Sequence, residues 1–410
     1  MNVLAISYIL PPNLYPQAIQ IGRLLYNLSA RVGAVCGKVS YMSTGLDCYP
    51  DFNKRLAFRL EVPFSPLLSG LAHRLACYGI PFYGRSPDEF KGWVPNAESV
   101  ALDYLSTNEI SPDVLVSFGE PMSDHLLGLR LKRHLQLPWI AHFSDPWSDN
   151  PFRRYFFLAN YVNRRLEAQV IQHADCVIFT SLETLDLVMR KYPIAWRDKT
   201  RVLPHSYEPD QYPQVTKRDG PLLIRYLGNF YGDRSPLPLF QALIKLHLES
   251  PSILANIRIE LIGSVPPRML NNSVYRNLPK GIVNIVSAVP YSQSLHLTAS
   301  ADLLLVIDAP AKMSVFLPSK LVDYLGAGVP IVGIVPPGAS ASLINRLGGW
   351  VANPVRPQEV ADTLKKAIEA CWVHRASRSV CSWGVEEVRA EYHADRVAEK
   401  FLSIIKGVMI

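Results

Sequence analysis

The segment Pro318-Ser-Lys-Leu-Val-Asp-Tyr-Leu-Gly-Ala-Gly-Val-Pro330 has the layout of a strand-to-helix turn suited to holding phosphate. Just upstream, Leu303 to Ile307 is an unbroken apolar run of the kind a buried parallel strand requires. Pro318 and Ser319 open a helix, with Ser319 expected as its N-cap. Gly328 closes that helix after about two turns, and Val329 to Val335 begins another buried strand. A helix N-terminus presents free N–H groups and the positive end of the dipole, and so attracts phosphate. Lys320 adds a full charge in the first turn. Asp323, three residues on, shares its face and is placed to accept hydrogen bonds from sugar hydroxyls. The same residues also suit an ordinary strand-loop-helix with Lys320 and Asp323 as a solvated pair, so the wider pattern has to decide.

That pattern is alternation. After a strand near residues 3–9 and a proline-rich loop comes a helix with Ile21, Leu24, Leu25, Leu28 and Val32 on one face. Val114–Phe118 and Trp139–Phe143 read as short strands, residues 155–172 as a helix, Cys176–Phe179 as a strand, and Ser181 as the cap of the next helix. Strand, crossover helix, strand is the mark of a parallel α/β sheet. Around Leu203–Pro213 the alternation stops. It restarts with Leu222–Leu227 ending at Gly228, then Ile257–Ile262 ending at Gly263, then Leu303–Ile307. The expectation is two successive α/β domains with a cleft between them, ligands binding at the carboxyl ends of the strands. The boundaries expected are 1–208, a linker at 209–220, a second domain at 221–384, and closing helices at 385–410 that cross back to the first domain. Residues 48–98 break the rhythm, mixing aromatics with Arg55, Arg59, Arg74 and Arg85. They fit either a membrane-grazing insertion or a loop region packed by its own side chains.

Composition agrees with a well-packed globular chain. Its 410 residues are too many for one core, and 49% hydrophobic with 19% charged residues is not a disordered composition. The six cysteines form no CxxC pair and read as reduced thiols of a cytoplasmic protein. The N-terminus reads as a first strand, not a signal peptide, and no run of 18 apolar residues predicts a membrane span. A net charge of +7 favours acidic partners: nucleotides, phosphorylated carriers or an anionic membrane surface. Part of it clusters at Arg130, Lys132, Arg133, Arg153, Arg154, Arg164 and Arg165. No basic tail or RNA-binding aromatic motif points to nucleic acid.

With these pieces placed, the chain resembles the GT-B glycosyltransferases, in particular the retaining, nucleotide-sugar-dependent family 4. Three segments carry the resemblance: Tyr226 to Pro236, a strand, glycine and turn with Arg234 six residues after Gly228; Ala301 to Ile307; and Pro318 to Pro330. The resemblance implies two Rossmann-like domains facing a central cleft. It also implies donor contacts at Gly228, Asn229, Arg234, Gly263, Val289, Ser319, Lys320, Leu321 and Asp323, with Arg234 on the diphosphate and Asp323 on the ribose. Asn229 stands where the family often has Arg, and Val315 where it often has Glu. In the first half, Ile140-Ala-His-Phe-Ser-Asp-Pro-Trp147 resembles the family's catalytic strand end, making His142 and Asp145 candidates. The loop at 11–17 stands where the family places an acceptor loop, which puts Tyr15 and Gln17 near the acceptor.

The activity so implied is transfer of a sugar from a nucleotide diphosphate sugar to a glycan or lipid-linked acceptor, with retention, in surface polysaccharide or glycolipid assembly. No Asp-x-Asp triplet occurs, so no metal or other cofactor is expected. Fixed charge from Arg234, Lys320 and the helix N-terminus is expected to act in its place. Peripheral contact with a membrane is a further expectation. Two alternatives stand: a non-catalytic nucleotide-sugar-binding subunit, and an epimerase of the same fold, which needs additional carboxylates for proton transfer.

Overall fold

The computed structural model describes residues 1–13, 15–38, 49, 51–64, 86–153, 157–215, 220–376 and 383–410. Thirteen strands carry the architecture. They are β1 (Asn2–Ile6), β2 (Arg31–Gly37), β3 (Leu56–Val62), β4 (Val114–Gly119), β5 (Trp139–Phe143), β6 (Cys176–Phe179) and β7 (Thr200–Val202), then β8 (Leu222–Leu227), β9 (Ile257–Ile262), β10 (Val283–Val286), β11 (Leu303–Ile307), β12 (Ile331–Ile334) and β13 (Trp350–Ala352). They form two all-parallel sheets, ordered β3-β2-β1-β4-β5-β6-β7 and β10-β9-β8-β11-β12-β13. Parallel neighbours need crossover helices, and those helices cover both faces; this is why strands such as β4, β5 and β11 are buried at every position.

The chain divides into two compact units, Met1–His205 with Ala394–Ile410, and Ser206–His393. In the first, Trp139, Phe143, Val177 and Phe179 pack one side of the sheet with Leu127, Leu131, Val170 and Val188. The C-terminal helix, Ala394–Val408, belongs to this unit, and its Phe401 ring lies 6.4 Å from that of Phe118 on β4. In the second unit the two sheet faces have separate cores, one around Tyr226, Leu243 and Leu364, the other around Val306, Leu321 and Tyr324.

Two expectations change. Part of residues 48–98 is regular structure: Leu56–Val62 is an edge strand paired parallel with β2, and Phe52 and Trp93 are core. The sequence hides this strand because an edge strand exposes polar residues such as Arg59 and Glu61. Arg74 lies outside the described residues, as do Arg85, Arg154 and residues 216–219 of the expected linker. The second change is at the helix start. Pro318 (φ −62°, ψ 135°) takes the N-cap position and Ser319 is the first helical residue, with no side chain capping the turn. Gly328 does close the helix, in the left-handed conformation at φ 59°.

In each sheet the strand order reverses once, between β1 and β4 and between β8 and β11. At such switch points the flanking loops part on opposite sides and leave a crevice at the carboxyl ends. Beside the second one, the Leu227 N–H donates to Tyr324 Oη at 2.9 Å, tying the end of β8 to the Ser319–Ala327 helix. Tyr324→Phe leaves that buried N–H without its acceptor and is expected to lower stability by about 1–3 kcal/mol. Urea denaturation checks this; a change below about 0.5 kcal/mol would mean the bond contributes nothing net.

Candidate active site

The second switch point gathers most of the residues expected to hold a donor. Gly228 and Gly263 end β8 and β9 with φ of 137° and 136°, a region side chains avoid. A Cβ on Gly263 would strike the Gly228 carbonyl, and one on Gly228 would strike Lys320 Nζ. The two loops are then tied by Asn229, whose Oδ1 accepts from the Ser264 N–H at 2.9 Å. Glycine is thus required here for close approach.

Lys320 Nζ donates to Tyr226 Oη at 2.7 Å and lies 4.1 Å from the centre of the Tyr226 ring. Phe230 stacks on that ring at 4.4 Å and holds it flat. Arg234 is 7% exposed. Its Nη2 donates to Asp308 Oδ1 at 2.9 Å, its Nη1 to Tyr231 Oη at 3.2 Å, and its Nε–H has no acceptor among the described residues. Asp308 follows β11 directly and is steadied by Ser340 Oγ, which donates to its Oδ2 at 3.2 Å.

The electrostatics of the two cations differ. Burial works against the charge of Arg234, but Asp308, Tyr231 and Tyr226 together outweigh it and raise its pKa. Lys320 has no ion-pair partner among the described residues. Burial, and then repulsion from Arg234, bring its ammonium down to about 7. The cluster therefore holds one cation already neutralised by Asp308 and one whose charge is unanswered.

The other expected donor residues are placed as follows. Ser319 starts the helix, and Leu321 is wholly buried, anchoring it to the core. Asp323 Oδ1 accepts from Tyr291 Oη at 3.0 Å, and its carbonyl accepts from Tyr212 Oη at 2.8 Å. Val289 lies in the loop after β10, partly buried against the Val306 core. The sequence reading missed Tyr226, Tyr231, Tyr291 and Asp308. Asp308 carried a signal, being a lone acid at the carboxyl end of an apolar strand.

The first switch point has opposite character. Tyr15 and Gln17 lie where the Pro16–Tyr26 helix begins, Tyr15 well exposed. His142 is buried on β5 against Phe118 at 5.3 Å, within electrostatic range of His125 and His205, and burial holds its ring neutral, at about 4. Asp145 lies just beyond β5, within electrostatic range of Glu120. Glu120 forms an ion pair with Arg153, yet burial pushes its carboxyl up to about 7. Asp124, fully buried, accepts from the Tyr8 N–H at 2.8 Å and is raised well above the usual range by burial and by Asp88 and Glu120. Asp88 accepts from the Ser123 N–H at 2.9 Å and is raised by burial. The sequence alone does not show this carboxylate set, because Asp88 and Asp145 come from stretches distant from Glu120 and Asp124, which follow β4. Among the described residues none of these clusters has the arrangement of a metal site.

No protein-family model matches the chain, and no curated protein sequence matches it. Solved structures do, over its whole length. Sucrose-phosphate synthase of Thermosynechococcus elongatus superposes with a TM-score of 0.71 at 14% identity, covering 99% of this chain and 98% of that one. HepE of Anabaena, in complex with UDP, gives 0.67 at 13% identity, covering 99% and 100%. A UDP-N-acetylglucosamine 2-epimerase assigned in Listeria monocytogenes gives 0.59 at 9%, covering 99% and 96%. The chain has the fold of the GT-B glycosyltransferases, two Rossmann-like units each built on a parallel sheet.

The unanswered charge on Lys320 has a consequence for stability. The unfolded chain keeps that proton up to the ordinary lysine value of 10.5, whereas the folded chain releases it near 7. Between those values the unfolded state binds more protons, so stability rises with pH. Lys320→Met is expected to remove this rise, as read from urea midpoints between about pH 7 and 10. An unchanged slope would place the ammonium in solvent.

Proposed function

We propose that the chain is a glycosyltransferase that moves a sugar from a nucleoside diphosphate sugar to a glycan or lipid-linked acceptor. The observation that carries this is the convergence of Arg234 and Lys320 at the β8–β11 switch point. The buried Arg234 Nε–H lacks an acceptor, and Lys320 lacks a counter-ion, among the described residues. Both deficits are what a diphosphate would supply. Asp323, on the flank of the same helix, suits ribose hydroxyls, and the loop bearing Val289 suits the base. The solved likeness in complex with UDP supports the choice of ligand class.

As the glycosidic bond of the donor breaks, negative charge grows on the departing β-phosphate. Groups that stabilise this charge without having to reorganise lower the barrier most. Arg234 is held by Asp308 and Tyr231, and Lys320 by Tyr226, so both are pre-placed. This reading needs no metal or cofactor: fixed charge does the work. Retention at the anomeric carbon follows in this reading from front-face attack, with the leaving phosphate helping to deprotonate the acceptor. Tyr15 and Gln17, on the first unit, are assigned to the acceptor, and His142 and Asp145 to catalysis. Among the described residues no helix is long and apolar enough to cross a membrane. We place the chain in the cytoplasm, in surface polysaccharide or glycolipid assembly.

Arg234→Ala and Lys320→Ala are each expected to lower turnover at least tenfold, and up to about 10²–10³-fold, with the fold intact. Wild-type kinetics in both would refute their role. A thermal-shift panel of UDP-, GDP-, ADP- and dTDP-sugars identifies the donor: a ligand at about 100 times its Kd adds about 2.7 kcal/mol of stability. No response to any of the four would remove the donor site.

The carboxylates Asp88, Glu120 and Asp124 favour one second reading, an epimerase working on the donor alone. Glu120, poised at about 7, has the proton affinity that acid–base chemistry at a sugar carbon needs. Incubation with the donor in D2O and no acceptor separates the two. A transferase leaves the sugar unlabelled, whereas an epimerase incorporates solvent deuterium.

A further inference from the structure

The helix Phe157–His173 presents a face that neither the donor site nor the carboxylate group uses. Phe157 is 79% exposed, Leu158 49% and Tyr161 55%, and Arg164 and Arg165 are exposed one turn further on. At about 100° per residue these five side chains fall within about 120° of arc, a single stripe along the helix. No acid occurs from 157 to 166. The opposite face is locked: Asn163 Oδ1 accepts from Trp147 Nε1 at 2.8 Å. Glu167, fully buried, accepts from the Ser148 N–H at 2.6 Å and from Tyr192 Oη at 2.7 Å. Rotation of the helix to hide its aromatics would break these bonds, so the exposure is built in.

Isolated exposed apolar residues are ordinary, but a contiguous apolar stripe marks a partner. Here the stripe leads with Phe, Leu and Tyr and is followed by two arginines. Aromatic rings favour the interface between acyl chains and headgroups, and arginine favours anionic headgroup phosphate. The net charge of +7 draws the chain toward such a surface. We propose that Phe157, Leu158, Tyr161, Arg164 and Arg165 form a docking face for an anionic lipid bilayer. The inference does not rest on the diphosphate site, and its test is run without nucleotide. The helix begins in the segment that follows β5, at the carboxyl edge of the first sheet, the same edge that carries Tyr15, Gln17 and Asp145. Docking there would bring that edge to the depth of a lipid-linked acceptor's headgroup.

The full chain should co-sediment with vesicles of equal parts phosphatidylglycerol and phosphatidylcholine at about 0.1 M salt, and far less with phosphatidylcholine alone. Phe157→Ser with Tyr161→Ser, and separately Arg164→Gln with Arg165→Gln, should each reduce partitioning at least tenfold. Thermal midpoints should not move, since the altered side chains are exposed. If the aromatic double variant misfolds, the arginine pair still decides. Three results would overturn the proposal: no binding of the intact chain to anionic vesicles, wild-type binding by both variants, or light scattering that shows a dimer which both variants dissolve. The last would make the stripe a contact between copies of the chain.

Discussion

A lysine ammonium held over a tyrosine ring, beside an arginine and without a carboxylate of its own, is the arrangement on which this account depends. Taking a cation out of water is costly unless something answers the charge. Arg234 has its answer in Asp308. Lys320 has the Tyr226 hydroxyl and ring and a pull from Asp308 that repulsion from Arg234 exceeds, but no ion pair among the described residues. The fold tolerates this because the ammonium can shed its proton near neutral pH. An anion entering the site reverses that tendency and holds the proton in place. A diphosphate in the site, as proposed, would answer that charge.

The rest of the second unit serves that arrangement. Gly228 lacks a side chain where Lys320 must pass, and Gly263 lacks one where the Gly228 carbonyl must pass. Phe230 flattens Tyr226, and Ser340 steadies Asp308. Tyr324 fixes the Ser319–Ala327 helix to the last residue of β8. Each is a short-range constraint that a parallel sheet supplies at its carboxyl edge, where loops from neighbouring strands meet.

Much of the fold was legible because parallel sheets write themselves plainly. Buried strands such as Leu303–Ile307 are apolar throughout, and crossover helices return at regular intervals. The edge strand Leu56–Val62 was not legible, since most of its residues are only partly buried and Arg59 and Glu61 dilute its alternation. The helix start was misplaced by one residue because Ser is the better N-cap by propensity, whereas Pro318 fixes the backbone there. Of the candidate site, the two glycines could be read at strand ends and Lys320 in the first turn of a helix, whereas Arg234 was expected only from the resemblance. Asp308 and Tyr226 could not be assigned, because pairing is a property of distance in space. The carboxylates show the same limit: Glu120 and Asp124 are neighbours after β4, but Asp88 and Asp145 come from distant stretches of the chain and approach them only in the fold. His142 lies on β5 against Phe118, and burial holds its ring neutral.

The measurement that bears most directly on the central claim is an NMR titration of the Lys320 side chain in protein labelled with ¹⁵N at lysine Nζ, followed with and without UDP. The account predicts that the ammonium of the free protein titrates near 7 and moves up toward 10.5 when the diphosphate is bound. A value near 10.5 in the free protein, unmoved by ligand, would contradict it.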